Sequence, residues 1–402
     1  MAKIAILGCG VVGSGVYEVL NINRDSISNK VKEDISVKYI LDLRTFEGEE
    51  YAHLVTNDFD KILNDDEVSV VVETMGGVNP AYDFSKKLLL KGKSVVTSNK
   101  ELVATHGAEL LKIAQEKNIN YLFEASVGGG IPIIRPLNQC LAANEISSVK
   151  GILNGTTNYI LTKMFKEGAE FKNALLNAQK KGYAEKDPTA DVEGYDACRK
   201  LAILTSLISG KNIDYNKIET KGITELTSTD VLYAEKCDMV IKLIASAIIE
   251  NDKVYTSVEP SLVSLDHPLS GVENVFNGIF LNGNALGDVM FYGKGAGKLP
   301  TASAVVADVI DAVKNKDKNN KCMWVDDGVN YVVPYEETSS SFMIRIKGEE
   351  NNFKDILNEL KAEKTIKVKD GEFAVIIPEM KISKLDAVTK DLPILNKLRI
   401  CK

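Results

Sequence analysis

Paired cysteines, basic blocks, long apolar runs and histidines are all scarce in these 402 residues, and each scarcity excludes something. Net charge is -7 and no run of Lys/Arg could track a phosphate backbone, so nucleic acid is not an expected partner. Six cysteines (Cys9, Cys140, Cys198, Cys237, Cys322, Cys401) are scattered without a C-x-x-C pair or metal-type spacing, which reads as a reduced, intracellular protein. The most apolar tracts, such as MVIKLIASAII at 239–249, are too short and carry a lysine, so no membrane span is expected. The chain runs straight into a strand, leaving no room for a signal peptide, and a cytoplasmic location is expected. Only three histidines are present: His53 in a polar loop, His106 in THGAEL and His267 before Pro268. Each reads as structural or solvent-facing, so acid/base chemistry would fall to another residue type.

A 45% hydrophobic and 26% charged composition is ordinary for soluble globular enzymes, and the length suits two or three domains. KIAIL (3–7), SVKYILD (36–42), VSVVVET (68–74), SVVTS (94–98) and INYLFEAS (119–126) read as strands separated by helical patterns. That alternation predicts an α/β, Rossmann-type doubly wound parallel sheet over 1–135. VGGGIPIIRP (127–136) marks a junction, followed by an α+β substrate and dimerisation domain over 136–320, with helical patterns through Glu250 and β-structure at VYTSVEPSLVS. The glycines at 293–297 would return the chain to the first domain over 293–315. From Thr338, FMIRIKG, FKDILNELKAEK, TIKVKDG, EFAVIIPE, ISKLDAVTKDL and ILNKLRI spell a small βαββαβ domain over 338–402, with Asp370-Gly371 as a hairpin signal.

Gly8-Cys9-Gly10-Val11-Val12-Gly13 follows a strand and opens a helix, the setting in which G-x-G-x-x-G binds a dinucleotide. The first glycine allows the turn, the second admits the pyrophosphate, and the third lets helix and strand pack closely. Asp42, ending the second strand, could accept from a ribose 2′-OH and favours NAD, whereas Arg44 could face the 2′-phosphate of NADP; the choice stays open with a lean to NAD. Thr74-Met75-Gly76-Gly77 and Thr97-Ser98-Asn99-Lys100 end two strands of the same sheet, where ligands of open parallel sheets lie. Thr74, Ser98 and Lys100 are therefore candidates for the nicotinamide ribose and ring.

The segment AQKKGYAEKDPTADVEGYDACRK (178–200) concentrates Glu185, Asp187, Asp191, Glu193, Asp196 and Lys200 around a Gly182 turn. Oxidising an alcohol by hydride transfer needs a group to take the hydroxyl proton, and lysine is the available type. Asp187-Pro188 reads as N-cap and first residue of a helix. Asp196 and Lys200 are i, i+4 on one face. Asp191 lies ~180° away on a continuous helix and joins that face only if Gly194 breaks it. The bland alternative is a surface ion pair worth ~0.3–0.5 kcal/mol. Glu185 and Asp196 would hold an α-ammonium, and Asn154-Gly155-Thr156-Thr157-Asn158, donors before a helix, suit a carboxylate.

Ala178, Gly182-Tyr183-Ala184, Asp187-Pro188, Asp191-Val192, Gly194, Asp196 and Lys200 resemble the signature of the homoserine dehydrogenase family. GILNGTTNYIL (151–161), Ser98-Asn99-Lys100, EASVGGGIPII (124–134) and GAGKLPTASAVV (295–306) match other blocks of it, over roughly residues 3–315. The resemblance implies interconversion of L-homoserine and L-aspartate 4-semialdehyde with NAD or NADP, a step toward threonine, methionine and isoleucine. It implies Lys200 as proton donor and acceptor, Lys100 beside cofactor and substrate, and Gly182, Glu185, Asp191 and Asp196 around homoserine. Cofactor contacts would fall on Gly8, Gly10, Val11, Val12, Gly13, Asp42, Arg44, Thr74, Ser98, Gly182, Gly295 and Gly297. A monovalent cation (Na or K) would take the Glu124 side chain and the backbone oxygens of Val127, Gly129 and Ile131. A homodimer or homotetramer is implied as well. The C-terminal domain resembles the ACT regulatory domain, except that Gly348-Glu349-Glu350-Asn351-Asn352 replaces the expected Asp-x-Pro-Gly turn, which weakens amino-acid binding and leaves a role in assembly. Two rival readings are another NAD(P)-dependent amino- or hydroxy-acid dehydrogenase and a non-catalytic nucleotide and amino-acid sensor.

Overall fold

The computed structural model describes residues 1–316, 318–319 and 323–401, so Cys322 lies outside the described residues. Two compact units emerge: 1–144 with 202–214 and 293–330, and 145–201 with 215–292 and 331–402.

In the first unit, β1 (Ala2–Leu7), β2 (Ile35–Leu41), β3 (Val55–Thr56), β4 (Val68–Glu73), β5 (Ser94–Thr97) and β6 (Tyr121–Leu122) form one sheet. Its order is 3-2-1-4-5-6, and every pair is parallel. That is the dinucleotide-binding arrangement, with the strand order reversing beside β1. The central strands read as unbroken apolar runs because both faces are covered: Ile4–Leu7 and Val70–Val72 are buried throughout. β3 is only two residues long and carries no periodic signal, which is why the sequence reading lacks it. The expected strand at 119–126 shortens to β6, and a 3-10 turn (Glu124–Ser126) takes over. The helix Lys298–Lys314 packs on the helix Val11–Ile22: a Cβ on Gly15 would meet Ala302 and Lys298 at 3.0 Å.

The second unit carries a mixed sheet that includes β7 (Ile146–Ile152), β8 (Glu219–Thr220), β9 (Met239–Glu250), β10 (Lys253–Ser264), β11 (Phe276–Gly283) and β12 (Gly287–Lys294). The helical pattern expected through Glu250 is wrong from Met239 on. β9 pairs antiparallel with β10 over twelve positions, from Met239↔Ser264 to Glu250↔Lys253. Its Val, Ile and Ala residues at 240–249 mimic a buried helix by composition, and pairing with β10 decides for strand.

Residues 339–401 add β13 (Ser339–Lys347), β14 (Lys364–Ile366), β15 (Glu372–Lys381) and β16 (Ile394–Cys401), with helices Lys354–Glu359 and Ile382–Thr389 between them. The βαββαβ order is there, and the strands lie as β16-β13-β15-β14, all antiparallel. Phe342, Ile344, Phe373, Val375, Leu385 and neighbours give this part its own core. It is nevertheless continuous with the larger sheet, since β16 runs parallel to β10 over Arg399–Cys401. That pairing begins at Ser261, immediately after Pro260, which has no N–H to offer a ladder.

Buried charge stitches the same region. Arg345 on β13 pairs with Asp230, and its other arm reaches Glu372 at 3.4 Å. Asp230 also closes a capping box with Thr227 on the helix Ser228–Glu235. Arg399 on β16 pairs with the buried Glu259 at 2.7 Å, and the Tyr335 hydroxyl donates to the same carboxylate at 2.9 Å.

Candidate active site

At the nucleotide end, the turn after β1 is shaped by close packing. A Cβ on Gly13 would stand 2.0 Å from the Gly8 carbonyl oxygen and 2.9 Å from Thr74 Oγ1. Only hydrogen fits there. Gly10 is the N-cap of the helix Val11–Ile22 and supplies no side-chain cap, so the Val11, Val12 and Gly13 amides at its head remain for an anion. A glycine cradle of this shape, opening onto an uncapped helix, fits a dinucleotide pyrophosphate. The Thr74 hydroxyl donates toward the carbonyl oxygens of Gly8 (2.8 Å) and Leu7 (3.1 Å), so Thr74 serves the turn directly.

Asp42 and Arg44, alternatives in sequence, are partners in space. Arg44 Nε and Nη2 donate to the two Asp42 oxygens at 3.0 and 2.8 Å, and the Cys9 amide donates to Oδ2 at 2.8 Å. The guanidinium, above all, holds the Asp42 carboxyl well below the usual carboxylate range. Arg44 remains exposed, against the Phe46 ring at 5.2 Å.

Ser98 follows β5, and Lys100 is the first residue of the helix Lys100–Glu116. Asn99 caps that helix, accepting from the Leu102 amide at 3.1 Å and donating to the Gly77 carbonyl at 2.6 Å. Gly295 lies against the 127–131 loop, where a Cβ on Gly129 would stand 2.3 Å from its oxygen; Gly297 is the N-cap of the helix Lys298–Lys314. Glu124 is buried, and its carboxylate accepts from the amides of Ile133 (2.6 Å), Ile134 (2.8 Å) and Arg135 (2.8 Å). It therefore organises the turn after the glycine run whatever else it binds.

In the second unit the acidic segment resolves around Asn154. The helix Thr189–Val192 ends, Gly194 takes a φ of +84°, and a new helix, Tyr195–Ser209, begins. This is the break that Asp191 needs. Asn154 Nδ2 then donates to Asp191 Oδ1 at 2.7 Å and to Asp196 Oδ2 at 2.8 Å, bringing the two carboxylates to one amide. Lys200 Nζ donates to Asp196 Oδ2 at 2.7 Å and to the Leu153 carbonyl at 2.9 Å. With side chains 12% and 6% exposed, Lys200 and Asp196 are far from the solvated surface pair of the bland reading.

Two expectations are corrected. Asp187 is not the N-cap: Pro188 holds that position, and the Asp187 carboxylate instead accepts from the Thr189 amide (3.1 Å) and hydroxyl (2.6 Å). The helix start moved by one residue, a common ambiguity at Asp-Pro. Glycine 155 onward offers fewer free donors than the sequence suggests. Thr157 is turned back on Asn154, and Asn158 Nδ2 donates to the carbonyls of Asn274 and Phe276 at 3.0 Å. Asn158 also accepts from Lys242, which burial pushes down to about 8. Gly182 and Glu185 sit in an exposed loop, tied to the helix Gly155–Glu167 by Thr156 Oγ1 donating to the Tyr183 carbonyl at 2.6 Å. Among the described residues, the Glu185 carboxylate makes no hydrogen bond to the Asn154 cluster.

In the sequence, Asn154 stands out only as one donor of a run. Its role as hub joins residues 37 and 42 positions apart, and no local pattern carries that. Glu73, fully buried at the end of β4, reads in the sequence as part of a strand. Its signal is a charge closing a largely apolar run, VSVVVE. Among the described residues, no group of three or more His, Cys, Asp or Glu side chains could hold a metal ion, and no helix is long and apolar enough to cross a membrane.

Two family models match the chain: one described as homoserine dehydrogenase over residues 132–310, and one as the NAD binding domain of homoserine dehydrogenase over 8–124. A homoserine dehydrogenase of Bacillus subtilis is 41% identical over 317 residues, covering 78% of this chain and 73% of the relative. The crystal structure of a homoserine dehydrogenase from Thiobacillus denitrificans superposes with a TM-score of 0.92 at 31% identity, over 100% of this chain and 98% of the other. A hyperthermophilic archaeal homoserine dehydrogenase solved with NADPH gives a TM-score of 0.66 at 29% identity, over 77% and 97% of the two chains.

Proposed function

The chain belongs to the homoserine dehydrogenase family, and from that premise we propose how its residues divide the reaction. The reaction is the reversible NAD(P)-dependent interconversion of L-homoserine and L-aspartate 4-semialdehyde. The nicotinamide, when bound, supplies the hydride acceptor. Lys200, acting as the neutral amine, takes the hydroxyl proton on its lone pair as the hydride leaves, and the ammonium so formed returns it in the reverse direction. The observation that carries this is the orientation of its amine: two donors are spent on Asp196 and Leu153, which aims the remaining valence in one direction. Asp191 and Asp196, gathered by Asn154, form the anionic side of the homoserine site, with Glu185 and the Gly182 backbone closing from the neighbouring loop. Lys100 stands beside the nicotinamide at the head of its helix.

The pyrophosphate is read onto Gly8, Gly10, Val11, Val12 and Gly13, and the nicotinamide end onto Thr74 and Ser98. For the ribose we favour NAD. Asp42 is held ionised and would accept from the 2′-OH once the exposed Arg44 swings aside. Asp42→Ala frees that guanidinium for a 2′-phosphate. The ratio of kcat/KM for NADP⁺ over NAD⁺ should rise at least about tenfold, the scale of one charge-assisted hydrogen bond. Steady-state rates with each cofactor measure it, and an unchanged ratio would remove Asp42 from cofactor selection.

A monovalent cation is read onto Glu124 with the backbone oxygens of Val127, Gly129 and Ile131. Supporting this, Val127 and Ile131 are buried, and no backbone amide among the described residues donates to any of the three oxygens. Buried carbonyls without donors are what a hard cation satisfies.

A further inference from the structure

Glu73 is a buried acid that none of the assignments above uses. It ends β4, is 0% exposed, and its carboxylate is held by neutral donors: the Thr97 hydroxyl at 2.6 Å on Oε2 and the Met75 amide at 2.8 Å on Oε1. Burial raises its pKa, and those donors, with the Gly76 amide and the Asn99 side chain, oppose the rise. Burying a carboxylate among neutral groups costs stability that an apolar side chain would not. The arrangement of its partners gives the acid a purpose.

Thr97 Oγ1, while donating to Glu73, accepts from the Asn99 amide at 2.9 Å. Asn99 in turn donates to the Gly77 carbonyl and caps the helix headed by Lys100. Met75, the other partner, leads back to Gly77 through the chain. Four hydrogen bonds and the backbone from Met75 to Gly77 thus close a ring through Glu73, Met75, Gly77, Asn99 and Thr97 that ties the loop after β4 to the loop after β5. Thr74, next to Glu73, contacts the glycine turn itself.

We propose that Glu73 is the positioning residue for the nicotinamide end of the cofactor, locking the 74–77 and 97–100 loops in register and setting where the helix of Lys100 begins. This rests on the reading above that these two strand-end loops hold the nicotinamide. Glu73 does not touch the reacting atoms; it acts through Thr97 and Asn99.

The test compares the preferred dinucleotide with the matching ADP-ribose, which lacks nicotinamide, by equilibrium binding alongside kcat. Glu73→Gln keeps the shape and removes the charge. It should bind the dinucleotide about tenfold more weakly and lose about tenfold in kcat, while ADP-ribose affinity stays within about twofold. Thr97→Val, which deletes the donor from the opposite side, should give the same split even if Glu73→Gln does not fold, and Thr97→Ser should recover most of it. Equal weakening of both ligands, or none, in Thr97→Val and in any folded Glu73→Gln would overturn the proposal. Gly77→Ala, at a φ of +69°, distorts the loop directly and separates the two possible failures. If it discriminates dinucleotide from ADP-ribose where Glu73→Gln and Thr97→Val do not, Glu73 is only structural and the loop reading stands. If Gly77→Ala does not discriminate either, the loops do not hold the nicotinamide and both readings fall.

Discussion

Lys200→Ala is expected to lower kcat about a thousandfold, within the range that a positioned acid/base contributes. The lysine's amine is held at two points, Asp196 and the Leu153 carbonyl, so its loss removes a group with a defined direction rather than a mobile surface charge. The substitution also strips a buried carboxylate of its cation. Asp196 keeps its bond from Asn154, which limits the damage. The expected pattern is therefore a collapse of kcat with dinucleotide affinity unchanged, because the glycine cradle is built from other residues. Pre-steady-state and steady-state turnover, with thermal melting as a folding check, read this out. A folded variant with kcat within tenfold of the parent would take the proton-transfer role away from Lys200.

Arg345→Met is expected to cost about 3–5 kcal/mol of stability, the scale of leaving buried charges without a partner. Arg345 and Asp230 have side chains 7% and 1% exposed, and Glu372 is 11% exposed, so water cannot replace the guanidinium. The loss should appear as a fall of roughly 10 °C in Tm. It should exceed the effect of substituting an exposed pair such as Lys367–Glu349, whose ends lie 3.8 Å apart at more than half exposure. Asp230 already serves the cap of the helix Ser228–Glu235, so the stranded charge cannot turn away without opening that cap. A Tm within 2 °C of the parent would show that the network is stabilising nothing.

The elements set by local pattern were legible from the sequence. The glycine fingerprint after an apolar strand, the periodic helix behind it, and the βαββαβ order of the last sixty-odd residues all declare themselves within a few residues' reach. So did the condition on Gly194, because helix geometry alone states where Asp191 must go. What was hidden depends on distant partners. β9 looked helical until β10 paired with it, β3 is too short to show a period, and Asp42 and Arg44 could be read as rivals because their mutual bond is a matter of rotamers. The hub at Asn154 and the ring at Glu73 join residues that only the sheet topology brings near.

The most direct measurement is reduction of NAD⁺ and, separately, NADP⁺ by the purified protein given L-homoserine and Na⁺ or K⁺, followed by nicotinamide absorbance. Homoserine-dependent turnover is expected, faster with NAD⁺ than with NADP⁺. No turnover with either cofactor, in protein that is folded and binds dinucleotide, would contradict it and favour a sensor built on the same fold.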